Sequence, residues 1–164
     1  MEQRDVPGSP DLNDALGLAQ AGLTERVAEA MRSVARAYVE TIVAALAARG
    51  FEALTAATVT LLAKLPDRGI TAADLARATG RTKQAAGKLI AELEQNGYVV
   101  RAPDPDDRRG FLIRASERGR EALAIGAEVK DQLADRAAGV LGAKSLERLH
   151  RDLAALEAAF RDAL

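Results

Sequence analysis

Val27, Met31, Val34, Tyr38, Ile42 and Leu46 recur three and four residues apart. That spacing puts them in one stripe of an amphipathic helix running from Thr24 to about Arg49 and stopping at Gly50. A second helix is predicted from Thr55 to about Lys64, with Val59, Leu61, Leu62 and Leu65 as its apolar positions and Pro66 closing it. Residues 1–22 hold few large apolar side chains and both early prolines. Ser9-Pro10-Asp11 suits the start of a short helix, and the segment reads as a tail of modest helical content.

Two short helices follow. In TAADLARATG, Thr71 is placed to cap a helix, with Asp74 at the capping-box position and Gly80 as the stop. In TKQAAGKLIAELEQNG, Thr82 is the cap, Ala86, Leu89, Ile90 and Leu93 form the buried stripe, and Gly97 ends the helix. Two helices joined by a tight glycine turn make a helix-turn-helix, a pattern that any pair of packed helices also satisfies. The exposed face decides between them. At 100° per residue, the side opposite the stripe presents Gln84, Lys88, Ala91 and Gln95, with Lys83 at the amino end and Gly87 beside them. A glycine inside a helix costs about 1 kcal/mol, so a merely solvated face is a poor account of it. Small residues at Ala85, Gly87 and Ala91 let the helix lie deep in a groove, where Gln84 can bond base edges and the lysines reach phosphate or guanine.

Next comes YVVRAPDPDDRRGFLIRAS, read as strands Tyr98–Arg101 and Phe111–Ala115 joined by a Pro/Asp/Gly loop. A hairpin directly after a helix-turn-helix is a wing, and Arg108 and Arg109 at its tip suit a narrow, electronegative minor groove. Asp104 and Asp106 favour the turn, while Asp107 is placed to accept hydrogen bonds from a neighbouring guanidinium and hold it. The same aspartates suggest a metal loop, but the spacing argues against it. A calcium loop wants alternating oxygen ligands followed by glycine and a distant glutamate, and here the fifth and sixth positions are Arg108 and Arg109.

Composition narrows the class. The 164 residues suffice for one domain with a core, or for a small domain plus an oligomerisation arm. Hydrophobic residues are 48% of the chain but aromatics only 3%, so alanine and leucine dominate, which is a helical composition. There is no cysteine and one histidine, His150, which removes disulfides, thiol redox chemistry and nearly every zinc site. No segment approaches the roughly 18 unbroken apolar residues of a membrane span, and the acidic start MEQRDVPGSP lacks the pattern of a signal peptide. A cytoplasmic protein without contact to a membrane is expected. The net charge of −1 argues at first against a phosphate-bearing partner, yet Thr71 to Arg118 holds nine Lys/Arg against seven Asp/Glu. Binding depends on the local field rather than the total.

Residues 55–119 resemble the winged helix-turn-helix of the MarR family of bacterial transcription regulators. Members share a wing of the form D-P-x-D-R-R, then alternating residues and L-T-x-x-G. Here Asp104-Pro105-Asp106-Asp107-Arg108-Arg109 is followed by Ile113 and by Ser116-Glu117-Arg118-Gly119, while Leu93, Glu94 and Gly97 match the L-E-x-x-G that ends the recognition helix. The chain departs at Ala115, where leucine is usual, and at Ser116, where threonine is usual; serine still caps a helix.

The remaining helices fit the same picture. SERGREALAIGAEVKDQLADRAAGVLG is a long helix from Ser116, and Ser145 is read as the cap of a last one with Leu146, Leu149, Leu153, Leu156, Phe160 and Leu164 in a stripe. Such stripes exceed what one small domain covers, so they need either an internal bundle or a partner. The resemblance implies that the terminal helices interleave across a two-fold axis. The expected fold is mainly α with a small β-wing. It comprises a tail (1–22), a dimerisation helix (23–50), the winged helix-turn-helix (51–118) and C-terminal dimerisation helices (119–164).

The expected function is a homodimeric, sequence-specific DNA-binding regulator, a repressor relieved by a small ligand. Its partner is double-stranded DNA carrying a pseudo-palindromic operator. DNA contacts are assigned to Thr82, Lys83, Gln84, Ala85, Lys88, Arg108 and Arg109, with Asp107 supporting the wing. The resemblance further implies a small lipophilic or phenolic effector between the dimer helices and the winged domain. Tyr38 and His150 are candidates for such a cleft, although each is more commonly a packing or surface residue. No cofactor, metal or catalytic residue is expected: one histidine on a charged helix, with no Gly-rich phosphate loop, offers neither nucleophile and base nor metal site. A winged helix used only for protein contacts is the alternative. It would want an apolar or acidic recognition face, against which Lys83, Gln84 and Lys88 speak.

Overall fold

The structure, a computed structural model, describes residues 12–107 and 110–162, with side chains from residue 22 onward. Among the described residues, six helices and one hairpin follow in the order α1 (Leu12–Ala48), α2 (Ala56–Leu62), α3 (Ala72–Ala78), α4 (Lys83–Gln95), β1 (Val99–Pro103), β2 (Phe111–Ala115), α5 (Glu117–Leu141) and α6 (Ala143–Asp162). The chain divides into two units, one up to Tyr38 and one from Val39 onward.

The first unit is the leading part of α1. Among its described side chains, Leu23, Val27, Met31 and Val34 are all exposed, Val34 to 70%. Glu29 and Arg32 pair across one turn at 2.6 Å. The helix starts at Leu12 rather than near Thr24, a correction to the expected tail. Residues 12–21 contain alanine, leucine and glutamine, whose backbone propensity carries a helix without any large apolar stripe. The expected cap at Ser9-Pro10-Asp11 lies outside the described residues.

In the second unit the core is continuous. Leu61, Leu62, Leu75, Ala86, Ile90, Leu93, Tyr98, Val99 and Ile113 fill the space between α2, α3, α4 and the hairpin, and Ile42, Leu46, Ala122 and Val129 extend it along α1 and α5. Local signals start each helix. Thr55 and Thr58 form a reciprocal capping box at α2, with Thr58 buried and its hydroxyl serving both directions. Thr71 accepts from the Asp74 amide and donates its hydroxyl to the Asp74 carboxylate, so the expected capping box closes side chain to side chain. Ser116 caps α5 through the Gly119 amide.

Tyr98 belongs to the core rather than to the strand. It is fully buried, and its hydroxyl donates to the Glu52 carbonyl at 2.7 Å. The Arg118 guanidinium lies 5.1 Å from its ring centre and 5.4 Å from that of Phe51, and donates to the Gly50 carbonyl. One cation thereby joins the end of α1 to the start of α5. The hairpin pairs Val99 with Ala115 through Pro103 with Phe111, and Ile70 adds a two-way bridge to Ile113. That third participant was not expected, because a single isoleucine between Gly69 and Thr71 carries no strand periodicity. The last helix likewise begins at Ala143, so Ser145 sits in its first turn and is not the cap. Gly142, at φ 78°, breaks the chain direction and lets α6 start at once.

Candidate nucleic-acid interface

The turn between α3 and α4 is built by Gly80 and Thr82. Gly80 takes φ 62°, open to glycine at no steric cost, and the Arg81 amide then returns to the Ala76 carbonyl at 2.9 Å. Thr82 accepts from the Ala85 amide at 3.2 Å and launches α4. One face of α4 buries Ala86, Ile90 and Leu93 to within 2% of full burial, with Leu89 half-buried. The helix cannot roll without exposing them, so the opposite face is fixed in direction.

That opposite face carries Gln84, Lys88, Ala91 and Gln95, with Gly87 beside them and Lys83 at the amino end, all exposed. Ala85 is half-buried at its margin, and its amide is used by the cap. A Cβ added to Gly87 would meet nothing within 4 Å, so no packing inside the chain demands a glycine there. Neighbouring cations are engaged: Arg77 pairs with Asp74, Arg101 with Glu94 at 3.1 Å, and Arg114 donates to the Arg68 carbonyl at 2.8 Å. Lys83 and Lys88 form no ion pair among the described residues, although Glu92 stands one turn beyond Lys88. Arg81, exposed in the turn before the cap, shares that state and was not among the expected contacts. Its position just ahead of the N-cap Thr82 was the available signal, since a helix amino end favours phosphate.

The wing hairpin turns through aspartate. The Asp106 amide donates to the Asp104 carboxylate at 3.0 Å, Asp104 to the Gly110 carbonyl at 3.1 Å, and Gly110 to the Asp107 carbonyl at 2.9 Å. Asp104 and Asp106 thus take the turn roles expected of them. Arg108 and Arg109 lie outside the described residues, and so does the expected contact of Asp107 with a guanidinium. Tyr38 and His150 are both exposed. Among the described residues no cluster of His, Asp or Glu has the arrangement of a metal site.

Among the described residues, two carboxyls are shifted. Asp74 is held below the usual carboxylate range by the Thr71 hydroxyl and then by Arg77, and Glu29 by its hydrogen bond and charge contact with Arg32. Both pairs organise helix surfaces, and neither supplies an acid or base for catalysis.

The sequence profile of the MarR family matches residues 49–110, which run from the end of α1 through the helix-turn-helix to the wing tip. Residues 49–110 are a MarR-family winged helix-turn-helix. Solved structures share the wider architecture. A probable transcriptional regulator from Pseudomonas aeruginosa is 25% identical, with a TM-score of 0.62 over 82% of this chain and 98% of its own. The reduced form of MarR from E. coli is 21% identical, with a TM-score of 0.65 over 79% and 94%. A transcriptional regulator from Thermotoga maritima is 20% identical, with a TM-score of 0.54 over 87% and 96%. No curated protein matches the chain significantly. The likeness to these solved structures thus extends beyond the winged segment, and no described helix is long and apolar enough to cross a membrane.

Proposed function

We propose that this MarR-family protein is a dimeric, sequence-specific DNA-binding regulator that represses transcription until a small lipophilic or phenolic effector changes the spacing of its two wings. The observation that carries the reading is the outer face of α4. Lys83, Gln84 and Lys88 are exposed there, the two lysines in no ion pair among the described residues, around a glycine that no internal packing requires. Such a face offers hydrogen bonds and positive charge to a groove, at a depth that long side chains would prevent. Arg108 and Arg109 at the wing tip would then reach the flanking minor groove.

A second copy accounts for the apolar surface. Val27, Met31, Val34 and Tyr38 are exposed on α1, and α6 buries none of its residues within the chain, leaving Leu149 and Phe160 about half exposed. Stripes of that length on a small protein call for a partner, and two-fold pairing of identical stripes is the commonest solution.

The test is protection of the DNA beside the protein's own gene in a footprint, followed by anisotropy on the protected duplex. Arg109→Ala should weaken that binding by about 1–3 kcal/mol while the dimer persists. Absence of any protected site, with binding indifferent to sequence, would reject regulation by operator recognition.

A further inference from the structure

On the reading of α4 as the recognition helix, we infer which bases it reads: Gln84 takes the adenine of an A·T pair and Lys88 the guanine of the neighbouring G·C pair, so each half-site contains these two pairs side by side.

Direction comes first. With Ala86, Ile90 and Leu93 locked in the core, the line furthest from them runs through Gln84, Lys88, Ala91 and Gln95. Lys83 lies off this line at the amino end, where it meets backbone phosphate. Gln84 and Lys88 are therefore the polar side chains of the first two turns that project straight outward. In a helix-turn-helix it is the amino-terminal part of the recognition helix that meets base edges.

Spacing comes next. Residues four apart stand about 6 Å apart along a helix, and residues three or four apart on a groove-bound helix meet successive base pairs. One residue for each of two adjacent pairs follows.

Chemistry then assigns the bases. The glutamine amide presents one donor and one acceptor, which match adenine N7 and N6 in the major groove. The lysine ammonium donates only, and guanine offers two acceptors, O6 and N7. Lys88 is available for that role because it forms no ion pair among the described residues, whereas Arg77 and Arg101, on the elements before and after α4, are both paired. Approach is the last requirement. Gly87 and Ala91 flank Lys88 on the exposed side, with open space at Gly87, so the backbone can come close enough for a glutamine to span to a base edge.

Selection from randomised duplexes with the full-length protein tests this, repeated with Gln84→Ala and Lys88→Ala, both exposed substitutions whose folding is checked by thermal melting. The wild type should enrich half-sites holding adjacent A·T and G·C pairs. Gln84→Ala should lose preference at the A·T pair alone and Lys88→Ala at the G·C pair alone, each weakening the best site by roughly 5- to 150-fold. Enriched half-sites without that pair, or a Lys88→Ala variant that weakens every duplex equally, would overturn the assignment while leaving operator binding intact. No enrichment at all would instead reject operator binding itself, and the assignment with it.

Discussion

Gly119 packs directly beneath the Tyr98 carbonyl. A Cβ at that position would overlap the carbonyl oxygen and stand 3.1 Å from its carbon. The same oxygen accepts the Ser116 amide at 3.0 Å, and Ser116 donates its hydroxyl to Gly97 while capping α5. The glycine that closes the wing's sequence motif is thus required by contact, at the point where the hairpin hands over to the long helix. Gly119→Ala should destabilise the fold by about 1–3 kcal/mol or more, because backbone and not a flexible side chain must give way. A thermal melt followed by circular dichroism checks it. An unchanged Tm would mean that the handover is looser than its geometry.

Gly87 makes the opposite case. With nothing near its missing Cβ, Gly87→Ala should stabilise α4 by up to about 1 kcal/mol, the ordinary helix preference for alanine. If the helix approaches DNA closely at this point, operator affinity should fall even as Tm rises. Melting and anisotropy on the same variant separate the two effects, and a variant improved in both would show that the glycine is not there for groove depth.

The Thr71–Asp74 contact predicts a pH response. The hydroxyl of Thr71, and then Arg77, stabilise the ionised carboxylate, so the folded pKa lies below the unfolded one. The group's stabilising contribution is therefore present above the ordinary aspartate pKa and is lost as pH falls through the lowered folded value. Thr71→Ala should move the Asp74 titration, followed by carboxyl NMR, upward toward the ordinary range. No movement would assign the shift to Arg77.

The apolar stripe of α6 bears on assembly. Leu153 and Leu156 are only half-buried within the chain. Replacing both with aspartate would bury charge wherever a second copy covers the stripe, at a cost large enough to split or unfold the pair. Sedimentation should then show loss of the dimer, and operator affinity should collapse although no groove-facing residue has changed. The wild-type site should be a pseudo-palindrome with half-site centres about 10 base pairs apart. A monomeric variant with full affinity would mean that one winged helix suffices.

Much of this was decided locally and was therefore legible in the order of residues. Thr55, Thr71, Thr82 and Ser116 announce their helices because a cap is a bond between a side chain and an amide two or three residues on. The buried stripe of α4 follows from a period of 3.6, and its polar face follows in turn. Other features depended on distant partners. Ile70 bonds Ile113, Tyr98 reaches Glu52, and Arg118 stacks on Phe51 and Tyr98, all between segments that only folding brings together. The early start of α1 was missed because backbone propensity extended a helix past the end of its apolar stripe. Sequence periodicity determined which faces are apolar and which are polar. Only the tertiary structure decided which apolar faces the chain covers by itself, burying Ile42 and Leu46 while leaving Val34 and Phe160 open, because burial depends on what lies opposite and not on the residue alone.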